Sequence, residues 1–110
     1  MNGQSQIELI EYAKKNMELA NIAFKDHSNN YAKAEKDYRI ALAKEIILLK
    51  AEGYAATIIN DLAKGNEKVA ELKMIRDIEQ GLMQSAQSAI YNFRLEYRVL
   101  TEQAKSDMFS

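Results

Sequence analysis

The side chains that could do chemistry are few. The chain has one histidine, His27, and no cysteine. It has no glycine-rich phosphate loop and no Glu-x-x-His pair of the kind that holds a di-iron centre between bundle helices. Without cysteine there is no disulfide, no thiolate nucleophile and no thiolate metal ligand. His27 falls in an apolar seam between Phe24 and Tyr31, where a half-buried, hydrogen-bonded imidazole is the expectation ahead of a pH switch or a ligand site. Glu45 falls in the same seam. A carboxylate there needs a partner: it either fixes register across a dimer or meets water at a wide end of the fold. Tyr31, Tyr38, Tyr54, Tyr91 and Tyr97 could stack on nucleic-acid bases. At helical spacing they read instead as amphipathic core residues with the hydroxyl at the rim. The expectation is a protein with no catalytic residues, no cofactor and no metal, and therefore not an enzyme.

The elements that must position these residues are helices. The chain has 110 residues, no proline and four glycines. Without the strongest helix breaker, very long helices are permitted. At 47% apolar and 28% charged residues it has the composition of a folded helical protein, read as one domain over residues 1–110. Fifteen basic and sixteen acidic residues give a net charge of −1. The signs are mixed along the chain, so no block acts as a basic tail or a polybasic anchor. The first residues lack the apolar run of a signal peptide, and no stretch approaches a membrane span. The simplest placement is the cytoplasm of the cell in which the chain is made.

A capping box, Ser5 with Glu8, starts the first helix. From Ile10 a seam recurs at spacings of three and four: Ala13, Met17, Ala20, Phe24, His27, Tyr31, Ala34, Tyr38, Ala41, Glu45, Leu48. That is the heptad period of a supercoiled helix pair, with large and small residues alternating. A second row, Leu42, Ile46 and Leu49, widens the apolar face. Asp26 to Asn30 all have poor helix propensity, yet the seam passes through them in phase, which favours one helix of about 47 residues. The stretch Gly53 to Asn66 is the joint. Gly53 stops the first helix in a left-handed conformation, Thr57 caps a short helix 58–64, Gly65 ends it, and Asn66 caps the last helix. The last helix, 67–105, has an expected inner face of Val69, Leu72, Ile75, Ile78, Leu82, Ala86, Ala89, Phe93, Tyr97, Leu100 and Ala104. Gly81, Ser85, Ser88 and Ala89 read as a small-residue patch for close helix approach. Pairs such as Glu11–Lys15, Glu35–Arg39, Lys73–Asp77 and Arg98–Glu102 read as solvated faces, worth about 0.2–0.5 kcal/mol each. Ser106 to Ser110 reads as a frayed tail. The fold class is all-α. A long antiparallel hairpin, 5–51 against 67–105 with residue 105 near residue 13, has too little interior to stand alone. Its surplus apolar surface implies a homodimer, a four-helix bundle or coiled coil.

Tyr38 to Ile90 resembles a group of small helical proteins encoded by phages and prophages of Gram-positive bacteria. The similarity lies in Tyr38-Arg39, Ala41-Leu42-Ala43-Lys44, Glu52-Gly53-Tyr54, Asp61-Leu62-Ala63-Lys64-Gly65, Val69-Ala70-Glu71-Leu72 and Arg76-Asp77, about half of the chain. The common form of the group has proline near Ala55, absent here. The resemblance implies a bacterial cytoplasmic setting, genes near replication and recombination functions, and no catalytic residues. The expected function is that of a non-enzymatic helical interaction protein. It would bind a host or phage protein, with replication or recombination machinery as the candidate and an adaptor or inhibitor role. The candidate interaction residues are Tyr54, Ile58, Ile59, Leu62, Lys64, Lys68 and Arg76. The alternative is a nucleic-acid-binding accessory protein using the basic residues Lys64, Lys68 and Arg76. A net charge of −1 gives that alternative little electrostatic drive. No membrane partner is expected.

Overall fold

Freed from proline, the chain runs as three helices: α1 over Gly3–Ala51, α2 over Ala56–Lys64 and α3 over Glu67–Phe109. The structure, a computed structural model, describes residues 3–109; the expectations for Met1, Asn2 and Ser110 lie outside them. No strand occurs among the described residues. The expected helical hairpin with its short connecting helix is the fold. Asp26 to Asn30 are helical throughout, because packing of the flanking seam outweighs weak local propensity.

The joint is a set of local hydrogen-bond solutions. At the end of α1, the Tyr54 amide donates to the Leu49 carbonyl at 3.2 Å and the Gly53 amide to the Lys50 carbonyl at 3.1 Å. These two bonds define a Schellman motif, which needs a left-handed residue between them. Gly53 supplies it at φ +88°, the only positive φ among the described residues. Asn66 caps α3 as expected, its Oδ1 accepting the Val69 amide at 3.1 Å, with Glu67 in the first turn. Two cap expectations are corrected. α2 starts at Ala56 with Ala55 as its extended N-cap and no side-chain capping bond, so Thr57 lies in the first turn. α1 starts at Gly3, which places Ser5 inside the helix, and Glu8 Oε1 accepts from Gln4 Nε2 at 3.2 Å.

The chain forms two compact units, one of residues 27–82 and one of residues up to 26 with those from 83 onward. In the 27–82 unit α2 lies against α1. Ile59 and Ala63 form a buried cluster with Leu49, and Leu42 and Ile46 pack against it. Burying a side chain such as Ile59 stabilises by about 1.5–3 kcal/mol. This contact draws the buried line of α1 from the expected Leu48, which is 49% exposed, to Leu49 at 8%. Along the α1–α3 seam of this unit, Ala34, Tyr38 and Val69 are buried. In the other unit Ala13, Ala20, Ala86 and Ile90 are buried, with Ile10, Met17, Phe24 and Phe93 half-buried around them.

Four expectations for α3 change. Its contact line in the 27–82 unit is Val69, Leu72, Arg76 and Glu79, whereas Ile75, Ile78 and Leu82 are exposed by 41%, 53% and 43%. Ile75 and Ile78 each stand one residue before a contact position, turned about 100° away. The patch at Gly81, Ser85 and Ser88 faces outward, and a Cβ on Gly81 would meet nothing within 4 Å. Ser106 to Phe109 are helical rather than frayed, and Gln6 Nε2 donates to Asp107 Oδ2. The pairing register also shifts: Arg76 meets Glu35, because α2 and its flanking turns displace the start of α3.

Three substitutions test this account by urea or thermal unfolding. Gly53→Ala should destabilise by about 1–2 kcal/mol through backbone strain alone, since no atom lies within 4 Å of the added methyl. Gly81→Ala, in an open helix interior, should stabilise by about 0.5–1 kcal/mol. Ala55→Pro should stabilise by about 0.4–1 kcal/mol, because Ala55 already has φ −64°.

Candidate functional site

Within the 27–82 unit, α1 and α3 meet through charged groups. Arg76 Nη1 donates to Glu35 Oε2 at 3.2 Å, while Nη2 and Nε donate to Asp77 Oδ1 at 2.9 and 3.1 Å. The Arg76 guanidinium also lies over the Tyr38 ring, 4.6 Å from its centroid, the geometry of a cation–π contact. Arg39 Nε holds the other Glu35 oxygen at 2.7 Å, and Lys73 Nζ donates to Asp77 Oδ2 at 3.1 Å. Glu35–Arg39 and Lys73–Asp77, expected as isolated surface pairs, thus join one network through Arg76. Its planar fork reaches both carboxylates while lying flat on the Tyr38 ring, a geometry that a lysine's compact ammonium does not reproduce. One turn further on, His27 Nδ1 and Glu79 Oε2 are 3.0 Å apart, matching the half-buried, hydrogen-bonded state expected for His27.

The network shifts the pKa of three of its members. Hydrogen bonding from Arg39, and then the charge of Arg76, holds the Glu35 carboxyl below its ordinary value against partial desolvation. Hydrogen bonds from Arg76 and Lys73 do the same for Asp77. The Arg76 guanidinium is pushed up, first by its bond to Asp77. Each carboxylate of the network has a cationic partner, so the arrangement orients the helices.

α2 covers one side of the α1–α3 pair. Away from α2 the surface is open. A groove of about 700 Å³ is lined by Ile40, Ala41 and Leu48 of α1 and by Val69 and Leu72 of α3, with Asp37, Lys44, Glu45 and Lys68 among them. A second depression continues it through Asp37 and Leu72 to Ala34, Ile75 and Glu79. Ile78 and Leu82 extend the Ile75 stripe by helical spacing.

The structure divides the sequence-derived candidates. Ile59 is 4% exposed and belongs to the core. Arg76 is engaged by Glu35, Asp77 and Tyr38 and holds the fold together. Tyr54, Ile58 and Leu62 are exposed by 47%, 45% and 42%, on the joint and on the outer side of α2. Lys64 and Lys68 are exposed, and only Lys68 lines the groove. Of the tyrosines weighed as a stacking surface, Tyr38 is buried, Tyr31 and Tyr97 are half-buried, and Tyr54 and Tyr91 are exposed. Sequence reasoning missed Asp37, Ile40, Lys44 and Ile75 as lining residues. For Asp37 and Lys44 the signal was their heptad spacing with Ala41 and Leu48, four, three and four residues apart on α1.

Among the described residues no helix is long and apolar enough to cross a membrane, and no group of three or more His, Cys, Asp or Glu side chains could hold a metal ion. No protein-family model, curated protein or solved structure matches the chain.

The carboxylate network gives a pH dependence of defined sign. Groups with a lowered folded pKa stabilise the fold above the ordinary carboxylate pKa of about 4. That contribution is lost as pH falls through the folded value. Glu35→Gln should lower the melting temperature at pH 7, and the gap from the wild type should narrow as melts followed by circular dichroism are taken to acid pH. Arg76→Lys should melt below the wild type at pH 7, since the ammonium loses the planar fork and its stacking on Tyr38.

Proposed function

We propose that this chain is a non-enzymatic helical interaction protein. It acts as a homodimer and binds a protein of the phage or its bacterial host, as adaptor or inhibitor. The observation that carries the reading is the open apolar face of the 27–82 unit, where Ile40, Leu48, Ile75, Ile78 and Leu82 are all more than 40% exposed. A contiguous apolar face of this kind, rimmed by charge, is characteristic of protein contact sites. Composition of the interior points the same way: among the described residues the only buried apolar side chains larger than alanine are Tyr38, Leu49, Ile59, Val69 and Ile90. The phage setting, and replication or recombination machinery as the partner, rest on the resemblance of Tyr38 to Ile90. The nucleic-acid alternative loses a cation, because Arg76 is compensated within the chain.

Capture from host lysate with tagged protein tests the reading when run with and without nuclease and repeated with Ile75→Lys/Ile78→Lys. The expected result is a partner at near-equal stoichiometry that survives nuclease and is lost from the variant, whose helix content stays at the wild-type level. Loss of all bound protein on nuclease treatment, with nucleic acid in the untreated eluate, would transfer the weight to nucleic-acid binding.

A further inference from the structure

From the α1 side of the open face of the 27–82 unit we infer that a second copy of this chain covers Ile40 and Ala41, with α1 packed antiparallel on the partner's α1 about a two-fold axis between those two residues and the Ile75, Ile78 and Leu82 stripe of α3 left for the partner protein. This rests on the self-association reading above and adds its surface, orientation and register.

The seam Asp37, Ala41, Lys44, Leu48 has heptad spacing, which gives helix packing a straight contact line. It lies on the groove side of α1 rather than on the row that meets α2. Ile40 and Leu48 offer the apolar surface at 45% and 49% exposure. The charges decide the orientation. Asp37 and Lys44 are each equally far along the helix from the midpoint between Ile40 and Ala41. An antiparallel two-fold partner therefore sets Asp37 beside the partner's Lys44 and Lys44 beside the partner's Asp37. A parallel partner in register would set like charges together, which is destabilising. Neither side chain has an ion-pair partner among the described residues. They cannot pair with each other within one helix, since seven residues separate their Cα atoms by about 10 Å.

The absence of native cysteine makes the test direct. In the antiparallel arrangement the two copies of residue 40 are offset by only about 1.5 Å along the axis, while the two copies of residue 47 are about 20 Å apart. Ile40→Cys should form a disulfide-linked dimer on mild oxidation, and Ile47→Cys should not, since bridging requires Cα atoms within about 7 Å. By analytical ultracentrifugation Asp37→Lys and Lys44→Asp should each weaken the dimer by about ten-fold or more, replacing two attractive contacts by two repulsive ones. The double charge swap should restore it. Should Asp37→Lys fail to fold, the double swap and the cysteine pair still decide the matter. A monomer at all concentrations would overturn this inference and the self-association reading together. A dimer that crosslinks equally through residues 40 and 47, or that ignores the charge reversals, would overturn the interface proposed here and leave that reading standing.

Discussion

Two helices side by side share one line of contact, and this limit shapes the whole molecule. Each helix buries a single stripe on its neighbour, so the interior of a hairpin is a row of side chains rather than a core. Here that row is filled largely by alanine, with Tyr38 and Val69 as its bulkiest buried members in the 27–82 unit. Near the joint α2 provides a second neighbour for α1, and there alone does the row widen into the cluster of Leu49, Ile59 and Ala63 with Leu42 and Ile46. Apolar residues that meet neither α3 nor α2 remain at the surface. The open face is therefore a consequence of topology.

The polar groups in the seam follow from the same limit. A row of alanines discriminates poorly between alignments of two helices, because small side chains interlock in more than one register. Arg76 with Glu35, and Glu79 with His27, discriminate strongly. A slide of α3 by one turn would separate both pairs and leave half-buried charges without partners, a cost apolar contacts could not offset. Such groups contribute less to stability than to the choice of one alignment, while Tyr38 beneath the Arg76 guanidinium lets the cation enter the seam without leaving an apolar gap.

What could be read from the sequence was what local chemistry determines. The hairpin, the glycine turn at Gly53, the Asn66 cap and the continuity of α1 through Asp26–Asn30 depend on residues close in sequence or on an unbroken period. The contact line of α3 did not follow from hydrophobicity. Ile75 and Ile78 are more apolar than Arg76 and Glu79, yet a long amphipathic side chain can bury its stem and pair its head, and the seam took the polar stripe. On α2 the difference between a surface residue and a core residue is the single step from Ile58 to Ile59, which depends on where α2 begins. Its start at Ala56 was not legible because Ala55 offers no capping side chain. The groove side of α1 was hidden by its own charges: Asp37 and Lys44 look like solvent residues until Ile40 and Leu48 are seen beside them.

The left-handed turn at Gly53 has a consequence for how this chain can change over generations. Both bonds that close α1 pass through that one conformation. Of the residues with a side chain, asparagine accepts it best, and no single-base change in a glycine codon yields asparagine. The direct genetic routes away from Gly53 lead to residues that strain the turn. The joint is consequently held in place by the genetic code as well as by its hydrogen bonds, and lineages of this protein should vary in the helices on either side while this position stays fixed.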